Sequence, residues 1–228
     1  MTVSFDAVER AIKEVADGRA VVVIDDEDPE NEGDLIFAAQ LASPQLIEFI
    51  DNYASGDVCV ALAESDADRL ELLFTATVDA HEAGGRSAAE RARTVQVLAD
   101  PMTRATDLAR PGHVVALRAR TGGVLRRAGH SEAAVDLATL AGLNPAGVVG
   151  QIVSDPGRAD RRGFAETHRL SQISIADLIA YRRRFDMVVE RVAAARVPLR
   201  HGEFTAVGYR TSYDEREHVA FVLGEIGT

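Results

Sequence analysis

The segment VVVIDDEDPENEGDLIFAA, residues 21–39, constrains the fold more than any other part of the chain. Between Asp25 and Asp34 it places seven carboxylates in ten residues, with no Lys or Arg among them. Apolar runs flank this acidic stretch on both sides. Short, β-branched apolar runs bounded by turn residues read as buried strands. Ala20–Ile24 and Leu35–Ala39 are therefore expected to be strands, with the acids in the loop between them. Seven carboxylates held close together stay ionised only if water or a counter-charge neutralises them; otherwise some pKa values rise. Two readings stay open from the residues alone. The loop is a solvated acidic turn, or it is part of an oxygen-rich ligand set for a hard divalent cation, Mg²⁺ or Mn²⁺.

The rest of the chain alternates helical and strand-like segments. Phe5, Val8, Ile12 and Val15 repeat at helical spacing, with Ser4 as a start signal and Gly18 as a stop. Residues 44–53 read as a helix and Val58–Ala63 as a buried strand. Ser87-Ala-Ala-Glu90 is a capping box, opening a helix to about residue 99. Arg110-Pro-Gly-His113 reads as a turn before a strand at Val114–Arg118. Ser131 is placed to cap a helix over Glu132–Ala141 that ends at Gly142. Val148–Val153 is strand-like. Ser174-Ile-Ala-Asp177 opens a helix expected to run to about Ala195. After Pro198, Phe204–Arg210 and Glu217–Leu223 are two strand-like runs joined by a polar turn. This mixture predicts an α+β fold, a layered α/β sandwich.

Composition narrows the functional classes. The chain has 228 residues, 46% of them hydrophobic, which is enough to build a core without covalent staples. Its single cysteine, Cys59, excludes an internal disulfide framework and a multi-cysteine zinc site. A reducing, cytoplasmic setting is expected. The N-terminus lacks the pattern of a signal peptide. There is no apolar run long enough to span a membrane. A net charge of −11 argues against a nucleic-acid partner.

A second candidate site lies in RAGHSEAAVDLATLAGL, residues 127–143. His130 precedes a helix N-terminus, whose free N–H groups favour an anion. Gly129 beside it permits close approach of a ligand. A histidine there is either structural or a metal ligand.

Together these motifs resemble the 3,4-dihydroxy-2-butanone 4-phosphate synthase family of riboflavin biosynthesis. IDDEDPENEGDLIFAA is similar to its acidic-loop signature, and RPGHVVALRARTGGVLRRAGHSEAAVDLATLAGLNPAGVV (110–149) to its second signature. SIADLIAYRRR (174–184) is similar to its C-terminal part. The resemblance covers roughly residues 4–190 and implies a domain over 1–195. ERVAAARVPLRHGEFTAVGYR and REHVAFVLGEI resemble the opening of a GTP cyclohydrolase II domain. Residues 196–228 are thus expected to be a remnant of such a domain, without cyclohydrolase activity.

In the family, ribulose 5-phosphate loses C4 as formate and leaves a four-carbon phosphate. The resemblance implies that Glu30 and His130 bind Mg²⁺ or Mn²⁺, and that Glu32, Asp34 and His130 take part in catalysis. Asp34, Arg127, Gly129, Ser131 and Gln151 would meet the small-molecule substrate. It also implies a homodimer with the site near the subunit interface.

The chain departs from the family pattern at several of these places. Pro29 stands where the family has Arg before the metal-binding Glu, removing a cation that can pair with phosphate. Gly150-Gln151 stands where the family has Cys-Glu, and Gln cannot take up a proton. Residues 72–87 are shorter than the family's mobile loop, and Gly84-Gly85-Arg86-Ser87 replaces its threonine-bearing phosphate turn. These departures lead to the expectation of a diverged enzyme. It would keep metal-dependent enolate chemistry but act on a different small hydroxy-carbonyl substrate, as in specialised metabolism. The alternatives are an active synthase and a non-catalytic paralogue that serves as a binding or heterodimer partner.

Overall fold

The computed structural model describes residues 5–25, 33–72, 76–152, 161–186, 189–211, 213 and 216–224. The chain divides into two compact units, Met1–Tyr181 and Arg182–Thr228.

The first unit is built on seven strands: β1 Val21–Ile24, β2 Asp34–Ala38, β3 Cys59–Leu62, β4 Ala76–Ala80, β5 Leu108–Arg118, β6 Ala146–Gln151 and β7 Gln172–Ser174. They form one mixed sheet in the order β4-β5-β3-β6-β2-β1-β7. The helices are α1 Phe5–Ala16, α2 Pro44–Tyr53, α3 Glu64–Arg69, α4 Ala88–Ala99, α5 His130–Leu140, α6 Arg161–His168 and α7 Ile175–Phe185. Strand alternation sends side chains to both faces of the sheet. In β2, Leu35 and Phe37 enter one core with Ile47 and Ile50 of α2 and Val95 and Leu98 of α4. Ile36 and Ala38 enter the other core, with Val8 and Val15 of α1, Leu137 of α5 and Leu178 of α7. The expected layered α/β sandwich is therefore present, with helices on both faces of one sheet.

The strands flanking the acidic stretch are adjacent, antiparallel partners, with Val23 opposite Asp34. The helices at 5–16 and 44–53 and the capping box at Ser87 form as the residues predict. Ser4, proposed to cap the first helix, lies outside the described residues.

Three local expectations are corrected. Arg110–His113 is not a turn ahead of a strand but part of β5, with a cis bond between Arg110 and Pro111. Pairing with β4 continues on both sides of it, across a bulge at Val78/Asp79. Ser131 does not cap α5: the helix starts two residues earlier, at His130, and Gly129 is its N-cap without a side-chain hydrogen bond. The helix opened by Ser174, which accepts a bond from the Asp177 N–H at 3.0 Å, stops at Phe185 rather than near residue 195. Residues expected to continue it form a strand instead.

That strand belongs to the second unit, a three-stranded antiparallel sheet of β8 Val189–Leu199, β9 Gly202–Thr211 and β10 Glu217–Leu223 in the order β10-β9-β8. The boundary expected after residue 195 falls inside β8. No helix among the described residues is long and apolar enough to cross a membrane.

Candidate active site

The sheet gathers chemistry-bearing residues at one end of its central strands. Asp34 opens β2 and is opposite Gln151, the last residue of β6. Cys59 opens β3, opposite Val149 of β6. Asp34 shares its strand face with Ile36 and Ala38, the face covered by α5. Residues directly opposite in an antiparallel pair share a face, so Gln151 is on that side too. Gly33 sets the approach to Asp34. Its φ is +90°, and a Cβ there would lie 2.8 Å from the Val23 carbonyl oxygen.

Helix α5 supplies the other half. It packs closely on β6 at Gly147, where a Cβ would meet the Ala134 carbonyl oxygen at 2.6 Å. His130, at the start of α5, thereby comes to Asp34, with Nδ1 3.5 Å from Oδ2. Asp34 is 7% exposed. Burial pushes its carboxyl pKa above the ordinary value, and the neighbouring His130 opposes that shift. Burial also pushes the Cys59 thiol up to about 11, with Asp57 and Asp34 adding to the effect.

The far nitrogen of His130, Nε2, is buried and has no hydrogen-bond partner among the described residues. Leaving a buried ring nitrogen unpaired is costly. Coordination of a divalent cation would satisfy it, and an imidazole nitrogen combined with carboxylate oxygens is a chemically suitable donor set. No group of three or more His, Cys, Asp or Glu side chains among the described residues is arranged to hold a metal ion. The set needs a further ligand. Glu30 and Glu32, the sequence candidates, lie outside the described residues.

Arg127 is largely exposed, its Nη1 3.7 Å from Glu132 Oε1. Gly129 and Ser131 flank His130 at the helix start. Gln151 is exposed at the sheet end. Asp34, His130 and Gln151 therefore gather at one sheet end, and Arg127, Gly129 and Ser131 lie in the turn that leads into α5.

Sequence reasoning missed the supports of this turn. Glu132 is fully buried, and its Oε1 accepts the Arg120 N–H at 2.9 Å. One helical turn on, Asp136 accepts the Val124 N–H at 2.8 Å through Oδ2. These two acids tie the segment after β5 to α5. Their spacing of four within an otherwise apolar helix was the available signal, since it places both carboxylates on the same face.

This is a three-layer α/β domain with a buried carboxylate–imidazole pair at the end of its central strands. Residues 9–181 match the family model for 3,4-dihydroxy-2-butanone 4-phosphate synthase. The chain belongs to that family. It is 56% identical over 243 residues to riboflavin biosynthesis protein RibBA of Rhodococcus jostii (strain RHA1), covering 97% of this chain and 58% of that protein. The chain thus spans under two thirds of that relative's length. Among solved structures it is similar to RibBX, a two-domain 3,4-dihydroxy-2-butanone 4-phosphate synthase from A. baumannii. The TM-score is 0.86 at 40% identity, covering 96% of this chain and 70% of that one. A 3,4-dihydroxy-2-butanone 4-phosphate synthase in complex with two magnesium ions is similar with a TM-score of 0.72 at 34% identity. That match covers 80% of this chain and 99% of the other.

These comparisons do not support the expectation of divergence. The identity extends over nearly the whole chain, and Pro29 and Gln151 are local changes within it. An active synthase fits the findings better than an altered enzyme.

Proposed function

We propose that this chain acts as a 3,4-dihydroxy-2-butanone 4-phosphate synthase, converting ribulose 5-phosphate to 3,4-dihydroxy-2-butanone 4-phosphate and formate. The observation behind this reading is the buried Asp34–His130 pair, with His130 Nε2 left unpartnered, at the sheet end of a domain of this family. Asp34 takes a proton from carbon beside the substrate carbonyl. Burial raises its pKa and makes it a stronger base than an exposed carboxylate. His130, together with Glu30, holds Mg²⁺ or Mn²⁺; when bound, the cation supplies Lewis-acid stabilisation of negative charge on the substrate oxygens. Glu32 serves later proton transfers. Arg127 offers an exposed guanidinium to phosphate or hydroxyl oxygen, and the Gly129–Ser131 turn presents helix N–H groups to the substrate. The Gln151 carboxamide orients a substrate hydroxyl by hydrogen bonding. In this reading the working unit is a cytoplasmic homodimer.

A second reading, an altered substrate, is favoured by one observation. Gln151 sits opposite Asp34 in the strand register and cannot exchange a proton where the family pattern has Glu. Formate measured enzymatically after addition of ribulose 5-phosphate and Mg²⁺ separates the two. Formate release lost in His130→Ala supports the synthase. No formate from a parent protein that still binds Mn²⁺ by paramagnetic resonance supports the altered substrate.

A further inference from the structure

We infer that Glu132 is the positioning residue for Arg127: its second carboxylate oxygen takes the guanidinium across Gly129 and fixes where that cation meets the substrate. Glu132 stands at the third position of α5, counted from the Gly129 N-cap. A glutamate there ordinarily reaches back to the N-cap N–H. Here its Oε1 accepts the Arg120 N–H at 2.9 Å instead. The side chain is fully buried, and Oε2 has no hydrogen-bond partner among the described residues. A buried carboxylate oxygen left unpaired is costly, and a charged donor offsets that cost best. The positive end of α5 favours the carboxylate but leaves Oε2 without a donor.

The Arg127 guanidinium is within reach. Its Nη1 lies 3.7 Å from Glu132 Oε1, just beyond hydrogen-bonding distance, and its side chain is 64% exposed. The backbone beneath it is held, since the Arg126 and Arg127 N–H groups donate to the Gly123 carbonyl at 2.9 and 3.1 Å. Only the side chain has to turn. Gly129 leaves the path open: a Cβ there would lie 2.6 Å from Glu132 Oε2 and 3.7 Å from Arg127 Nε. The Gly129 φ of −142° suits any residue, so the glycine is required by space rather than by backbone conformation.

A guanidinium presents N–H donors on more than one edge of a planar fork. One edge closes on the carboxylate, and the outward N–H groups stay available to phosphate or hydroxyl oxygen of the substrate. Holding the fork in place beforehand removes the cost of ordering a long side chain on binding, worth on the order of tenfold in affinity. The substrate half of this inference rests on the synthase reading; the ion pair does not.

The test compares the full-chain parent with Glu132→Gln, Arg127→Ala, their double variant and Arg126→Ala, using circular dichroism to confirm folding. Glu132→Gln keeps an oxygen for the Arg120 N–H and the side-chain volume but removes the charge. Proton exchange at Arg127 Nε–H in ¹⁵N-labelled protein reads the pair itself, the signal being assigned by its loss in Arg127→Ala. Exchange is expected to be about tenfold faster in Glu132→Gln and unchanged in Arg126→Ala. Gly129→Ala, whose methyl would stand between the two groups, is expected to match Glu132→Gln and takes its place should that variant not fold. Equal exchange in the parent and these folded variants would overturn the inference. KM for ribulose 5-phosphate with Mg²⁺, from formate release, reads the consequence. Glu132→Gln is expected to raise KM about tenfold with kcat within about threefold, and to raise it no further when added to Arg127→Ala. An additive rise would make the role of Glu132 purely structural and overturn the positioning. No formate from the parent would refute the synthase reading and with it the substrate half, while the exchange result still decides the pair.

Discussion

His130 Nδ1 lies 3.5 Å from Asp34 Oδ2, joining the first residue of α5 to the first residue of β2. The contact links the helix layer to the end of the sheet, and it leaves His130 Nε2 buried and unpartnered. The first prediction concerns this pair. Asp34→Asn keeps the size of the side chain but removes the base, and His130→Ala removes the ring. Each is expected to lower formate release by on the order of 10²-fold or more, with the far-ultraviolet circular dichroism spectrum unchanged. Activity within a few-fold of the parent in Asp34→Asn would remove Asp34 from proton transfer.

Gln151 provides a gain-of-function test. Gln151→Glu places a second carboxylate opposite Asp34, where the family pattern has one. A like charge disfavours ionisation of its neighbour, so the Asp34 pKa should move further up. Formate release is expected to rise about tenfold if proton transfer at this position limits the rate. An unchanged rate would show that the carboxamide is fully tolerated.

Gly33 tests the local backbone. With φ at +90° and no room for a Cβ beside the Val23 carbonyl oxygen, Gly33→Ala must distort the start of β2. A loss of about 2 kcal/mol or more in chemical denaturation is expected, together with reduced activity. A variant as stable as the parent would contradict the geometry.

Much of this architecture is legible in the chain itself. The two strands that flank the acidic stretch are announced by the apolar runs on either side of it, and they pair with each other. The capping box at Ser87 and Glu90 is local chemistry, visible without tertiary information. What was not legible depends on tertiary pairing. VERVAAARVPL, residues 189–199, has an alanine-rich centre that reads as helix, but pairing with β9 makes it a strand. Arg110-Pro-Gly-His113 has the composition of a turn. The β4 edge and the Asp79 carboxylate, which accepts the His113 N–H at 2.9 Å, hold it in a strand. Ser131 looked like a cap because it precedes an acidic residue, but packing starts α5 at His130. The buried acids Glu132 and Asp136 acquire their roles only from backbone N–H groups brought in from another segment.

Cys59 gives a pH prediction. Its thiol is pushed up to about 11 from an ordinary value of 9.0, so at pH 8 it is almost entirely protonated. Since the thiolate is the nucleophile, alkylation by iodoacetamide at pH 8 is expected to be on the order of 100-fold slower in the folded protein than after denaturation. The linkage has a definite sign. The folded state favours the neutral thiol, so this contribution to stability is complete below pH 9 and is lost as pH rises towards 11. Equal alkylation rates before and after unfolding would contradict the burial of this group.

Arg91 of α4 binds Asp51 of α2 through both guanidinium Nη atoms, with Nη1 2.9 Å from Oδ1. The Arg91 side chain is mostly buried, whereas that of Asp51 is partly open to solvent. Arg91→Met is therefore expected to destabilise the chain by roughly 1–3 kcal/mol, below the cost of breaking a fully buried pair. Denaturant titration checks this, and a neutral effect would mean that the pair does not hold α2 against α4.

The proposed reaction at the site built on Asp34 and His130 splits ribulose 5-phosphate at C4 and releases that carbon as formate. The most direct measurement is ¹³C nuclear magnetic resonance of ribulose 5-phosphate labelled at C4, incubated with the protein and Mg²⁺. The label is expected to appear as formate at the rate at which substrate disappears, and Asp34→Asn is expected to abolish the signal. Label retained in unreacted ribulose 5-phosphate, or found in any product other than formate, would contradict it.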